Sequence, residues 1–205
     1  GAGASGTHKV EDDEQLHKVL GELQVAKGRE VAIEEFLTGH EGFYDTLAVA
    51  GKVVLDFACH YYPNVLEAMR TRWISPQIAV TNRIDSDGYK EVRDMGQSVI
   101  DALGIWTSAT HMEWFAGDKG LKFSEIGCRP PGVGVWDLYS AANEFDLFAA
   151  WAHAIVHEDV PFKASRKYSA GMIALRPDRD GTIAYYEGVE QMRDQFGEHI
   201  LDMHL

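Results

Sequence analysis

The sequence predicts an α+β fold with a mainly antiparallel sheet, flanking helices and a small C-terminal β subdomain. Residues 42–50 and 52–62 are predicted to be two strands that flank a tight turn, and residues 109–116 and 121–127 flank the Gly-Asp-Lys-Gly turn at 117–120. Short turns of this composition between apolar runs are typical of antiparallel hairpins. Segments with helical spacing lie between and beyond these pairs, which indicates helices packed on a sheet.

Three longer helices are predicted from apolar residues that recur every three or four positions. The first begins with a run of four acidic residues, which suit the positive end of a helix, and ends at Gly28. The second is predicted at about 89–103 and the third at about 135–157. The spacing in the third helix predicts that Phe148 and Val156 lie on its core face.

Further strands are predicted on both sides of this region. The tail after Pro161 changes character and is predicted to hold strands at 168–175 and 182–186, a short helix near 189–196 and a last strand. Before the tail, single strands are predicted at residues 8–10, 30–37 and 77–84.

Charge and composition exclude several classes of protein. The chain has 205 residues, 45% of them hydrophobic, and a formal net charge of −13. No apolar run approaches the roughly 20 residues of a spanning helix, so no membrane segment is predicted. The acidic charge disfavours non-specific binding to nucleic acid. Two widely separated cysteines match no metal or redox spacing, and they predict reduced thiols in a cytoplasmic protein.

The second hairpin carries two acidic residues that predict a metal site. If Ala116 lies opposite Lys122, then Glu113 lies opposite Glu125 on the same face. Two facing carboxylates destabilise a sheet unless a positive charge lies between them, and Mg²⁺ takes one or two carboxylates together with phosphate oxygens. The same alternation places Arg129 on this side, where its planar donor fork suits an anionic group. A solvated hairpin face, or a register shifted by one residue, is the alternative.

Two upstream segments have the composition of nucleotide-binding elements. The glycine-rich opening, residues 1–7, can present successive backbone N–H groups to a phosphate, although such segments are more often flexible loops. Residues 31–41 are predicted to begin as a strand and end in a short linker. The backbone groups of Glu35 and Leu37 would then be available to the edge of a heteroaromatic base. An ordinary strand end is the alternative.

The order of these features resembles the ATP-grasp superfamily of ATP-dependent ligases. The order is a glycine loop, a helix, Glu-Glu-Phe-Leu-x-Gly-x-Glu, Glu113, a hairpin, and Glu-Ile-Gly-Cys-Arg-Pro-Pro-Gly from Glu125. The sequence is most similar to the carboxylate–amine ligase branch, which includes L-amino-acid ligases and biotin-carboxylase-like proteins. The resemblance extends over residues 1–157 and implies an ATP-grasp fold that uses ATP and Mg²⁺.

The resemblance implies a role for each matching residue. Those of the glycine loop, which would close over the ATP phosphates, are Gly3, Ser5 and Gly6. Those of the interdomain hinge, which would hold adenine, are Glu34, Glu35, Phe36 and Leu37. Glu41 matches the acid that binds the ribose hydroxyls.

The same resemblance implies that Glu113 and Glu125 carry Mg²⁺. Arg129 matches the catalytic arginine that steadies the transferred phosphoryl group or the acyl phosphate. Two features depart from the family. Gly127 stands where many members have an Asn as a third metal ligand, and the phosphate-binding lysines that members carry upstream of the glycine loop are absent from this chain.

The predicted division of the chain follows from the resemblance. Residues 1–37 would form part of the small lid subdomain, 38–160 the large subdomain with the Mg²⁺-ATP site, and 161–205 the C-terminal β subdomain. The chain opens at Gly1 without an initiator Met, which predicts that it is a fragment and that its main partner is the missing N-terminal domain of the same protein.

The implied reaction joins a small-molecule carboxylate to an amine or similar nucleophile through an acyl phosphate. Two alternatives stay open at this point. One is a unit like carbamoyl-phosphate synthase or biotin carboxylase that uses bicarbonate, and the other is a nucleotide-binding fragment without catalysis of its own. The sequence permits a homo-oligomer as well as a monomer.

Overall fold

The computed structural model describes residues 6–205, which contain a six-stranded sheet with the strand order β5-β4-β1-β2-β3-β6. Every pair of neighbouring strands is antiparallel. The strands are β1 (His40–Val49), β2 (Lys52–Tyr62), β3 (Gln77–Val80), β4 (Ser108–Gly117), β5 (Gly120–Gly127) and β6 (Ala170–Ile173). The predicted α+β class with a mainly antiparallel sheet is therefore confirmed.

Six α-helices accompany this sheet within the described residues. They are α1 (Asp13–Glu22), α2 (Val65–Arg70), α3 (Lys90–Leu103), α4 (Val135–Asn143), α5 (Leu147–His157) and α6 (Val189–Phe196). Short 3₁₀ turns follow α1 at Val25–Lys27, precede α3 at Asp87–Tyr89 and follow α6 at Gly197–His199. None of the helices in residues 6–205 is both long enough and apolar enough to cross a membrane.

The two faces of the sheet carry different helices. Because side chains alternate along a strand, Phe43 and Leu47 of β1 lie on one face and pack in a cluster with residues of α4 and α5. Tyr44 lies on the opposite face and packs with Val92 of α3. Gly96 of α3 leaves no room for a Cβ beside the Tyr44 ring, so the close approach of this helix to the sheet depends on that glycine.

The long helix predicted at about 135–157 is in fact two helices. Glu144 takes the left-handed conformation with φ 62°, and the Asp146 side chain accepts a hydrogen bond from Ala149 N at the start of α5. The break rotates the second helix relative to the prediction. Phe148 and Val156, which were expected in the core, are 48% and 72% exposed.

Several predicted strands are wrong. Residues 8–10, 30–37 and 182–186 are not strands, and no strand follows α6. The first helix ends at Glu22 rather than Gly28. In the tail, β6 pairs with β3 and so extends the central sheet instead of starting a separate one. The division into units 1–37, 38–160 and 161–205 stays a prediction.

Candidate functional site

The β4–β5 hairpin brings Glu113 and Glu125 opposite each other, as predicted. The pairing of the residues between them and the turn differs from the prediction. The turn is tighter than expected, so Ala116 lies opposite Leu121 and not opposite Lys122. An irregularity next to Glu113 then adds one residue to β5 and restores the register. The two glutamates therefore share one face of the sheet, and their role as metal ligands stays a prediction.

This face continues across β4 and β1. Glu113 lies opposite Phe43 of β1, and His111 lies opposite Asp45 in the next row. Directly opposed residues of antiparallel strands point to the same side. The carboxylates of Glu113 and Glu125 thus lie on the face that α4 and α5 cover farther along the sheet, near the edge formed by β5.

Asp45 and His111 form a buried pair that the sequence analysis did not identify as a site. His111 Nδ1 lies 2.6 Å from Asp45 Oδ1, and the Tyr139 hydroxyl donates to Asp45 Oδ2 at 2.5 Å. His111 Nε2 lies 3.6 Å from Glu113 Oε1. Asp45 is 1% exposed, so both of its oxygens obtain their hydrogen bonds from protein groups.

Burial and the neighbouring charges shift the pKa values of Asp45 and His111 in opposite directions. Burial raises the pKa of Asp45, and the hydrogen bond and charge of His111 oppose that rise. Burial alone would lower the pKa of His111, but the hydrogen bonds to Asp45 and Glu113 outweigh it and raise the pKa to about 9. The raised pKa favours the positively charged form of His111, which lies between the carboxylates of Asp45 and Glu113.

Arg129 follows β5 and folds back over it. A Cβ built at Gly127 would lie 3.4 Å from Arg129 Cγ and 3.5 Å from Nε, so the arginine side chain passes directly over this glycine. Arg129 Nη1 donates to the Pro130 carbonyl at 2.9 Å. The positive charge of Arg129 also acts to lower the pKa of Asp45, against the stronger effect of burial.

The predicted adenine-binding segment runs past the tip of the same hairpin. Glu35 Oε1 accepts from Lys119 Nζ at 2.7 Å, and the Thr38 carbonyl lies against Gly117. Within the described residues, no hydrogen bond reaches the backbone of Glu34, Glu35, Phe36 or Leu37. The segment is irregular rather than the end of a strand, and its role in binding adenine stays a prediction.

The predicted phosphate-binding loop is described only in part. Gly3 and Ser5 lie outside the described residues. Gly6 is exposed in a turn with φ 77°. The role predicted for this loop stays a prediction.

Glu41, which is predicted to bind the ribose hydroxyls, is buried, and its carboxylate accepts a hydrogen bond from the protein. Its Oε2 accepts from Val65 N at 2.7 Å, at the start of α2, and the residue is 4% exposed. The pKa of Glu41 is raised to about 7, because burial and, to a smaller extent, the charge of Glu113 outweigh the hydrogen bond from Val65 N. Ribose binding by Glu41 stays a prediction.

Substitution Glu41→Gln is expected to stabilise the fold above neutral pH. The pKa of Glu41 is raised from 4.5 to about 7 on folding, so the ionised form costs stability once the pH passes 4.5. Glutamine keeps an acceptor for Val65 N and carries no charge. We expect the free energy of unfolding to rise by on the order of 2 kcal/mol at about pH 8, and not to change at about pH 4.

The check is urea denaturation at both pH values, with Asp118→Asn as the control. Asp118 is exposed at the hairpin turn, so the same loss of charge there should change stability little at either pH. An equal gain from Glu41→Gln at both pH values would contradict the prediction.

The donor set on the hairpin face suits Mg²⁺ rather than a structural metal. Among the described residues there is no group of three or more His, Cys, Asp or Glu placed to enclose an ion. Mg²⁺ needs no such enclosure, because it keeps several waters and takes one or two carboxylates plus phosphate oxygens. Glu113 and Glu125 are the two carboxylates that the sequence predicts for such a site, and this role stays a prediction.

The chain is similar to proteins of known sequence and known structure. The chain is 30% identical over 112 residues to the formate-dependent phosphoribosylglycinamide formyltransferase of Chlorobium phaeobacteroides. The matched residues make up 53% of this chain and 27% of that protein. The crystal structure of an L-amino acid ligase from Bacillus licheniformis matches with a TM-score of 0.66 and 15% identity, over 91% of this chain and 47% of the ligase. A biotin carboxylase structure from Campylobacter jejuni matches with a TM-score of 0.49 and 15% identity, over 85% of this chain and 37% of that one.

These matches define what is established. No family model matches the chain. The chain spans about a quarter of the curated relative and about half of the L-amino acid ligase. The likeness to that ligase shows the fold, so the predicted similarity to L-amino-acid ligases is confirmed at the level of the fold.

Proposed function

We propose that this chain is the metal- and phosphate-binding part of an ATP-dependent ligase that activates a carboxylate as an acyl phosphate for attack by an amine. The observation that carries the proposal is the pairing of Glu113 with Glu125 on the sheet face over which Arg129 folds. That arrangement occurs in a chain with the fold of an L-amino acid ligase. We also propose that further chain, of the kind present in that ligase, completes the ATP pocket, and that the protein works in the cytoplasm.

The proposed reaction has two steps. An oxygen of the substrate carboxylate attacks the γ-phosphorus of ATP, the bond to the β–γ bridging oxygen breaks, and ADP leaves. The amine nitrogen then attacks the acyl carbon, inorganic phosphate leaves with the C–O electron pair, and the amine proton passes to solvent. Both steps move negative charge among phosphate oxygens, so catalysis requires positioned positive groups.

Each residue of the site has a distinct part in this scheme. Glu113 and Glu125 would hold Mg²⁺, which when bound neutralises charge on the phosphates. The guanidinium of Arg129 has donors besides the one bound to Pro130, and they would hold the transferred phosphoryl group and the acyl phosphate. Asp45 would hold the His111 ring in place, and the other ring nitrogen of His111 lies 3.6 Å from Glu113 Oε1.

The substrate acid is proposed from the relatives' names alone. The L-amino acid ligase has an amino acid as its named substrate, and the curated relative is named as formate-dependent. Amino acids and formate are both small molecules with a carboxylate group. An amino acid is our first candidate because the structural match to that ligase covers most of this chain.

The test is Mg²⁺-dependent ADP release with a panel of amino acids, formate and bicarbonate, each with and without an amine acceptor. We expect release with at least one amino acid, and a loss of about a hundredfold or more in Glu125→Gln. Asp118→Asn, in the turn of the same hairpin, is the matched control and should retain activity. Absence of release with every acid, from this chain and from a longer protein that contains it, would refute the proposal.

A further inference from the structure

Helix α5 carries two histidines one helical turn apart, near its C-terminal end. His153 and His157 are separated by four positions, and residues at that spacing are neighbours on one face of a helix. Their ring centroids lie 4.5 Å apart, with an angle of 47° between the ring planes. His157 is exposed and His153 is partly exposed, so the pair is open to solvent.

The end of the helix determines which nitrogen of His153 is free. Glu158 takes the left-handed conformation with φ 51°, and its N–H donates to the Ala154 carbonyl. The chain then turns back, and the Asp159 carbonyl oxygen lies 2.8 Å from His153 Nδ1. A carbonyl oxygen only accepts hydrogen bonds, so Nδ1 carries the proton. In the neutral ring, Nε2 therefore has an unshared electron pair.

The orientation of the His153 ring is set by its neighbours. The Phe162 ring lies edge-on to it, with the centroids 6.4 Å apart and an angle of 84° between the planes. A histidine that binds a metal through one ring nitrogen almost always donates its other N–H to a carboxylate, a backbone carbonyl or water. The bond from His153 to the Asp159 carbonyl is of this kind. His153 therefore has the support that a metal-binding histidine requires.

The separation of the two rings suits a single metal ion. An imidazole nitrogen binds Zn²⁺ at about 2.0 Å, so two imidazoles on one ion have ring centroids roughly 4.5 to 5.2 Å apart for ligand angles of about 90° to 110°. The observed 4.5 Å lies at the lower end of this range. Within residues 6–205, no further His, Cys, Asp or Glu joins the pair to enclose an ion. Water would complete the coordination of an ion bound here.

We propose that His153 and His157 form a binding site for a divalent transition-metal ion of the class of Zn²⁺, Ni²⁺ and Cu²⁺. These ions bind imidazole nitrogen well, whereas Mg²⁺ prefers oxygen ligands. The site is therefore chemically distinct from the one proposed on the β4–β5 hairpin. The inference goes beyond the proposed function and does not depend on it, because both histidines belong to α5.

Zn²⁺ binding to the 205-residue chain, measured by titration calorimetry in excess Mg²⁺, tests the site. The Mg²⁺ competes for sites built from carboxylates and leaves imidazole sites free. We expect a saturable Zn²⁺ site that His153→Ala and His157→Ala each weaken by about tenfold or more. The loss of a group that only orients a metal ligand costs about 10- to 100-fold in affinity, so the loss of a ligand should cost at least as much.

His17→Ala is the matched control. His17 Nδ1 lies 2.6 Å from the Asp13 carbonyl oxygen, so its ring is held by a backbone carbonyl, as that of His153 is. The positions four residues before and after it are Asp13 and Gly21, so it has no second imidazole at helical spacing. Its replacement should leave Zn²⁺ affinity unchanged. His157 is exposed, so His157→Ala stays informative even if His153→Ala disturbs the packing against Phe162.

Thermal unfolding gives a second measurement, because an ion that binds the folded chain stabilises it. Zn²⁺ should raise the melting temperature of the unmodified chain and of His17→Ala by the same amount, and that of His157→Ala by less. Absence of saturable Zn²⁺ binding would overturn the inference. Equal binding by the unmodified chain and by a variant with both α5 histidines replaced by alanine would also overturn it, as would an equal loss in His17→Ala and His157→Ala.

Discussion

Arg129→Ala is expected to lower the rate of ADP formation by about a hundred- to a thousandfold without unfolding the protein. Removing one preorganised donor from the transferred group costs an enzyme this much when charge develops in the transition state. Arg129 is exposed and follows the last residue of β5, so the core does not depend on it. The loss should therefore fall mainly on kcat, with little change in thermal stability.

Arg129→Lys distinguishes geometry from charge. Lysine keeps the positive charge but lacks the planar fork that holds two oxygens at once, so we expect it to recover only a small part of the lost rate. Arg179→Ala, an exposed arginine of the tail, controls for the change in net charge. Full activity in Arg129→Ala would remove Arg129 from the reaction and leave the two glutamates and the fold as the support for the proposed function.

The hairpin shows how much of the site could be predicted from the sequence. The glycines at its turn and the alternating residues on either side predict two paired strands, and the pairing of Glu113 with Glu125 is confirmed. The predicted pairing of Ala116 with Lys122 was wrong. The tight turn shifts the register by one residue, and the added residue in β5 shifts it back. Local sequence predicts a turn more reliably than it predicts a bulge, because a bulge depends on the packing of both strands.

The Asp45–His111–Tyr139 cluster could not be predicted in the same way. Asp45 lies in β1, His111 in β4 and Tyr139 in α4, and 94 residues separate Asp45 from Tyr139. An acid in an alternating strand is usually solvated, whereas this one is buried and accepts a hydrogen bond from Tyr139 of α4. The break at Glu144 has a related cause. Apolar spacing continues through it, while the left-handed residue and the Asp146 cap end one helix and begin another.

Asp45→Asn is expected to cost the fold about 3 kcal/mol at about pH 6, because it leaves a buried charged His111 without its closest carboxylate. The pKa of His111 is raised from 6.5 to about 9 in the folded protein. The stability that the raised pKa of His111 contributes is fully present below pH 6.5 and is lost as the pH rises through 9. The cost of Asp45→Asn should therefore shrink as the pH rises to about 10.

Urea denaturation of the two proteins at about pH 6 and about pH 10 measures this difference. Tyr139→Phe is the matched comparison, since it removes the other hydrogen bond to Asp45 and leaves the ion pair in place. We expect it to cost about 1 kcal/mol, with a weaker dependence on pH. A cost of Asp45→Asn that is the same at both pH values would show that its effect comes from packing or a neutral hydrogen bond. In that case His111 would not carry the positive charge assigned to it beside Glu113.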